Sequence, residues 1–317
     1  MTDALSRLLA EGERAAFHGA PQSAVAPLQQ AMAQAQEAGR SAEVAAAAWL
    51  LGVAHGAAGD YGQAAVALRP LLDAAVGPEP SDRLIPGLAL ATRAAHLRQL
   101  GRTAEAATRD NQALELAGHD LDPVAFEALL GLAADSVAEA DPESARERVA
   151  AADKVLARNS GWWRQRVELE WVKADLALLA EDPKSAGAAA AAALTAAEEA
   201  GAPRHVARSL TLLAVAQLQA ASGASAVSAQ DEPGPDRALV TLRRAGTLAE
   251  TLGARPLVWP ARALQAALTE DEQESARALA SARAAVHHIA DSLAADPEEP
   301  DARSAWLTRP DVAALIA

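Results

Sequence analysis

Cysteine is absent from the 317 residues. That excludes disulfides, thiolate zinc sites, iron–sulfur clusters and cysteine nucleophiles. Large apolar side chains are nearly as scarce, with six Trp, two Phe, one Tyr and two Met. A sandwich or barrel needs a thick interior of interlocking bulky side chains, and this chain lacks the filling for one. Positive charge is also in deficit: 28 Lys plus Arg stand against 42 Asp plus Glu, a net charge of −14. A surface of that sign repels a phosphate backbone, so nucleic acid is not an expected partner. The charge-free stretch Ser185 to Ala197 is mostly alanine and falls well short of the roughly 20 strongly apolar residues that a membrane-spanning helix needs. The first residues, Met-Thr-Asp-Ala-Leu-Ser-Arg, reach an acidic side chain at once without a basic region and an apolar run. Export by that route is not expected, and the reading is a cytoplasmic protein with no membrane partner.

What the chain has in abundance is alanine, 88 residues, without which the hydrophobic fraction of 51% falls to under a quarter. Thin layers of closely packed helices suit that composition. Repeats organise them. An Ala opens a helical stretch seven times, at Ala24, Ala64, Ala106, Ala145, Ala186, Ala238 and Ala276, with spacings of 40, 42, 39, 41, 52 and 38. The long interval contains Ser222 to Asp236, a Gly/Ser/Pro/Asp-rich loop whose removal restores the common period and which is expected to be mobile and dispensable. A period near 40 with helical patterning means a solenoid.

Each unit reads as two antiparallel helices. In the second, Ala45 to Ala58 and Gln63 to Ala75 flank the turn Gly59-Asp60-Tyr61, and the chain breaks at Gly77-Pro78. Matching turns fall at Gly101-Arg102-Thr103, Ala140-Asp141-Pro142 and Glu181-Asp182-Pro183, where Asp before Pro ends one helix and caps the next. Such short connections make neighbouring helices antiparallel. The second unit, with Trp49, Leu51, Gly52, then Gly59-Asp60-Tyr61, then Ala64 and Leu68, resembles a tetratricopeptide repeat. The small residue of its first helix recurs as Gly12, Gly52, Ala94, Ala133 and Ala174, each twelve positions before an anchor alanine, and as Ala214 ahead of the insertion. Against the family pattern the period is longer than about 34 residues and Asp110 stands at an apolar site. The segment Thr251 to Trp259 also resembles the helical-repeat region of large bacterial regulatory ATPases, here without a phosphate-binding loop or a basic helix-turn-helix.

The expected fold is therefore all-α: about seven antiparallel helix pairs, which the resemblance implies wind into a right-handed superhelix. Residues 1–295 form the repeat domain. A linker at Asp296 to Asp301 then leads to a cap at Ala302 to Ala317, the two making up 296–317.

Catalytic signatures are missing. There is no His-Glu-x-x-His, no Gly-x-Ser-x-Gly, no glycine-rich dinucleotide loop and no calcium loop. His287 and Asp291 share a helical face beside His288, but no third ligand is evident, so no metal and no cofactor is expected. The acidic run Glu270 to Glu274 suits the N-terminus of the next helix. His18, His55, His96, His119 and His205 share no spacing and read as surface or core residues.

The binding candidate is the stripe Arg164, Glu168, Trp171, Asp175 and Leu178, which mixes an aromatic ring with both charges on one helical face. The tetratricopeptide resemblance implies that Trp171 and Asp175 face a concave groove, as do Trp49 with Val53, Ala91 with Ala95, Leu130 with Ala134, and Thr211 with Val215. The two tryptophans either fill gaps between repeats or recognise a partner. Trp162 and Trp163 read as a staple at a helix start. The leading functional expectation is a non-enzymatic scaffold that holds a protein or peptide in that groove; the alternative is a regulator that senses a small ligand or signal peptide.

Overall fold

The computed structural model describes residues 3–223 and 234–317. Within them lie sixteen α-helices, a 3₁₀ turn at Pro21–Ala24 and no strand. Seven pairs run along the chain: α1 Ala4–His18 with α2 Val25–Glu37, α3 Ser41–Ala58 with α4 Tyr61–Leu72, α5 Pro80–Gln99 with α6 Thr103–Ala117, and α7 Asp122–Ala138 with α8 Pro142–Ala157. They continue as α9 Trp163–Leu179 with α10 Pro183–Glu199, α11 Pro203–Gly223 with α12 Pro235–Leu252, and α13 Arg255–Leu268 with α14 Glu272–Leu293. Two short helices, α15 Ala302–Thr308 and α16 Pro310–Ile316, complete the C-terminal cap. Consecutive helices pack on one another throughout, which makes the architecture a helical-repeat solenoid. None of the described helices is long and apolar enough to cross a membrane.

The periodic small residues sit where helices touch. Ala24, Ala64, Ala106, Ala145, Ala186 and Ala238 are fully buried, as are Ala94, Ala133, Ala174 and Ala214 in the opposing helices. A Cβ on Gly52 would lie 2.5 Å from the Leu68 side chain, so the close approach depends on the missing side chain. The seventh anchor needs correction. Ala276 is exposed and Ala278 is the buried residue, with Ala282, Ala285 and Ile289 buried four, seven and eleven positions after it, the same spacing as Ala190, Ala193 and Ala197 after Ala186. Measured from Ala238, the repeat then closes at 40 residues.

Helix ends also differ from expectation. Helix α3 starts four residues earlier than Ala45, and α4 runs Tyr61–Leu72 because the turn uses only Gly59 and Asp60. Gly59, Gly101 and Gly253 take the left-handed conformation at helix ends, while Ala140 (φ 57°) and Glu181 (φ 55°) adopt it without the glycine that favours it. Of the inserted loop, Ser222 and Gly223 finish α11, and Pro235 and Asp236 begin α12. The expectation for its middle, 224–233, lies outside the described residues.

Asp110 occupies the place that Leu28 and Leu68 hold in earlier repeats, and it is buried. Arg98 answers it, donating to Asp110 at 2.5 Å and to Asp135 at 2.7 Å. A Cβ on Gly131 would overlap the Asp110 carboxylate, so glycine makes room for the polar cluster. One guanidinium serves two buried carboxylates. Burial, and then the charge of Asp135, outweigh Arg98 and push the Asp110 carboxyl up to about 8.

The row of first helices curls back on itself. Each of α1, α3, α5, α7, α9, α11 and α13 touches the next in this order; α11 also touches α1, and α13 touches α3. The seam is closed by the C-terminal units. Tyr61 and Leu100 share a core with Val286, Ile289 and Leu293 of α14 and with Trp306 and Val312 of the cap. Around it His288 Nε2 meets Asp60 at 2.6 Å, Ser292 Oγ donates to the Gly59 carbonyl at 3.0 Å, and Arg309 donates to the Gln99 carbonyl at 2.6 Å. The segment from Asp296 to Asp301 is irregular, as expected of a linker, and it also acts as a clasp. Asp296 is buried on Arg69, and Glu299 binds both Arg93 and Arg102.

Candidate functional site

The first helix of each pair faces inward, so the interior of the ring is lined by α1, α3, α5, α7, α9, α11 and α13. On α9, residues four, seven and eleven positions after Arg164 fall on one face by helical geometry. Arg164 donates to Glu127 at 2.8 Å and to Glu168 at 3.1 Å, and its guanidinium lies 4.8 Å from the centre of the Phe17 ring on α1. This side chain therefore bridges the ring from α9 to α1. Burial opposes the Arg164 charge, but the two carboxylates hold the group above its ordinary value. Glu168 is pushed up to about 7, chiefly by burial and despite Arg164.

Trp171 is only 7% exposed, stacks on His205 of α11 at 5.4 Å and donates from Nε1 to Ser209 Oγ at 2.8 Å. It is thus part of the α9–α11 core and forms part of the cavity wall at the same time. Trp49 is half-buried and donates to Thr92 Oγ1 at 3.0 Å. Trp162 caps α9 and packs edge-on against Phe126, while Trp163 meets His18 at 4.8 Å and His205 at 5.1 Å.

Among the described residues, three cavities that open along this inner surface bear on binding. One of about 460 Å³ lies between α1, α3 and the start of α9, against Phe17, Trp49, Trp163 and Arg164. A second, of about 150 Å³, lies against Arg98, Glu127, Leu130 and Gly131. The third, of about 220 Å³, lies between α3, α5, α9, α11 and α13 and shares Ala95, Gln99, Glu168, Trp171 and Arg208 with the second. Among the residues singled out from the sequence, Trp49, Arg164, Glu168 and Trp171 line these cavities. Val53, Asp175, Thr211 and Val215 are half-buried and line none of the three.

The sequence reading missed Arg204 and Arg208, and it took His96 and His205 as ordinary histidines; all four line the third cavity. Charges on a helix normally read as a solvated face, and only their i, i+4 spacing beside His205 offered a signal. Burial pushes His96 down to about 3 and His205 well below its usual range, so both imidazoles are neutral at neutral pH. His288 is bound to Asp60, His287 is exposed and Asp291 faces Arg303. Among the described residues no group of three His, Cys, Asp or Glu side chains is placed to hold an ion.

No protein-family model matches the chain, and a comparison with curated proteins finds no match.

Proposed function

We propose that this chain is a non-enzymatic binding module whose ligand lodges inside the ring of first helices, in the manner of a ligand-sensing regulator. One observation carries the reading. The concave face is closed at the α4–α14 seam and crossed by Arg164 on Phe17, which leaves cavities of about 150 to 460 Å³. Pockets holding small molecules have a few hundred Å³ and are lined by mixed apolar and polar groups. A partner helix is about 10–12 Å across with its side chains and does not fit such spaces. The resemblance to tetratricopeptide repeats and to the repeat regions of regulatory ATPases supports recognition through the inner face. Protein purified under non-denaturing conditions should retain a small molecule in native mass spectrometry, released on unfolding.

The second reading, a scaffold for a protein or peptide, keeps support from the same seam. Much of the seam is polar, with the ion pairs of Arg69, Arg93 and Arg102 to Asp296 and Glu299, and opening it would expose the inner face as a groove. Solution scattering separates the two. A sensor stays as compact or contracts when loaded, whereas a scaffold that admits a partner helix must expand beyond the added mass.

A further inference from the structure

The third cavity carries an unbalanced set of polar groups. Arg204 and Arg208 both line it, and neither makes a hydrogen bond or an ion pair within 4 Å among the described residues. The other arginines that line the three cavities, Arg14 aside, have carboxylate partners: Arg98 has Asp110 and Asp135, and Arg164 has Glu127 and Glu168. The Arg204 Nη1, the His205 Nδ1 and the His96 Nδ1 are all buried without a partner, and all three residues line this one cavity. A buried donor left unpaired costs free energy, and a buried charge left unpaired costs more. Glu168 lines the same cavity but is already committed to Arg164. Arg208 rests 4.4 Å over the Trp171 ring, an arrangement that leaves the in-plane N–H groups of a guanidinium free to donate. Arg204 lies in the first turn of α11, where no acidic side chain offsets the positive end of the helix dipole. The remaining wall is formed by the small or apolar Gly56, Ala57, Ala95, Pro256 and Leu257, with Tyr61 and Gln99 beside them.

We infer that this cavity binds a small organic oxyanion, a carboxylate or phosphate monoester. Its charged head is held by Arg204 and Arg208, and its short apolar body rests against Gly56, Ala57 and Pro256. Planar guanidinium forks match both head groups through paired N–H donors. The volume of about 220 Å³ exceeds the roughly 150 Å³ cavity that accepts benzene, so a single aromatic ring or a short chain with one anionic group fits. The two neutral imidazoles supply hydrogen bonds to the remaining oxygens. This inference rests on the proposal that the ring interior is the binding site, and it names the chemistry recognised there.

The test uses benzoate, phenyl phosphate and benzyl alcohol as probes in thermal unfolding, with chloride at matched ionic strength as the reference. Benzoate or phenyl phosphate, whichever head fits, should raise the melting temperature in a saturable way, and benzyl alcohol should not. In the double variant Arg204→Met, Arg208→Met the anion response should vanish. That variant should melt at or above wild type without a probe, because removing an unpaired buried charge relieves its cost, so loss of response is not loss of fold. An Arg204→Lys, Arg208→Lys variant should regain part of the response. The inference is overturned if neither anion shifts the wild type beyond chloride, if benzyl alcohol shifts it equally, or if the Met variant responds as wild type does. Native mass spectrometry separates this failure from that of the functional proposal. A small molecule retained equally by wild type and Met variant leaves the interior site standing and removes the anion. An arginine-dependent benzoate shift with no retained molecule leaves the anion site standing and removes the reading of a small molecule held through purification.

Discussion

Gly62 offers a test of ring closure in which the sign of the effect decides. It is the second residue of α4, and a methyl group added there would overlap the backbone carbonyl oxygen of Ser292 on α14, with Ala295 alongside. In an open solenoid the substitution Gly62→Ala would only improve a helix and stabilise the protein by about 0.5–1 kcal/mol. In the closed ring it must push α14 away from α4, an overpacking that costs about 1–3 kcal/mol. No flexible side chain is there to yield, because the obstacle is main chain. The net expectation is destabilisation by about 1–2 kcal/mol, the overpacking less the helix gain. Gly187→Ala in α10 is the matched control. Its new methyl would meet only the Ala216 Cβ at 4.0 Å, so it should stabilise by about 0.5–1 kcal/mol. Urea denaturation followed by circular dichroism gives both signs, and solution scattering should show a larger radius of gyration for Gly62→Ala alone. If both variants stabilise the protein and scatter identically, the seam between α4 and α14 is not closed in solution and the interior cavities lose their floor.

Other expectations follow from the packing and the charges. Ala64→Leu should cost about 1–3 kcal/mol in denaturant unfolding, because Ala64 is fully buried between helices with no room for a larger side chain. Glu181→Gly should raise stability by up to about 1 kcal/mol by relieving a left-handed residue, and an unchanged midpoint would count against strain there. Trp171→Ala should cost about 3–5 kcal/mol, since the ring is buried and hydrogen-bonded to Ser209; near-normal melting would show that its role is recognition alone. Asp110 binds its proton more tightly folded, up to about 8, than unfolded. Its contribution is therefore fully present below about pH 4 and is lost as pH rises through about 8. Wild type should lose stability from about pH 4 to about pH 8 and level off above that, and Asp110→Asn should flatten the slope; an unchanged slope would remove Asp110 as its source.

Much of the fold was legible because a solenoid is built from local rules. Small residues twelve apart mark where two helices touch, and an Asp-Pro or Gly-Asp pair marks where the chain reverses, so seven pairs and a cap could be read from spacing. Ala276 was misplaced because several alanines in α14 satisfy the same pattern, and only the burial of Ala278, Ala282 and Ala285 in the fold decides among them. Ring closure left no periodic trace. It joins Gly59-Asp60-Tyr61 to α14 and Glu299 to Arg93 and Arg102, contacts created by accumulated curvature and not by any neighbouring repeat. The candidate site was half legible for the same reason. Arg164, Glu168 and Trp171 announce themselves as a mixed stripe on one helix, whereas Arg204 and Arg208 become unusual only when the opposite wall deprives them of solvent and partners.

Closure also changes how the chain should come apart. A linear repeat array has free ends, and stability measured along it falls toward the termini because end units have one neighbour each. Here the second and third pairs are clasped to the last one by contacts such as Asp60–His288 and Arg69–Asp296, which are 228 and 227 residues apart in sequence. Contacts of that range form late in folding, because a long loop must close before they contribute. Once formed, they tie the fate of the C-terminal pair to that of pairs near the N-terminus. Hydrogen exchange should therefore show α3, α5 and α14 opening together, as one cooperative unit, with fraying confined to α1 and α2.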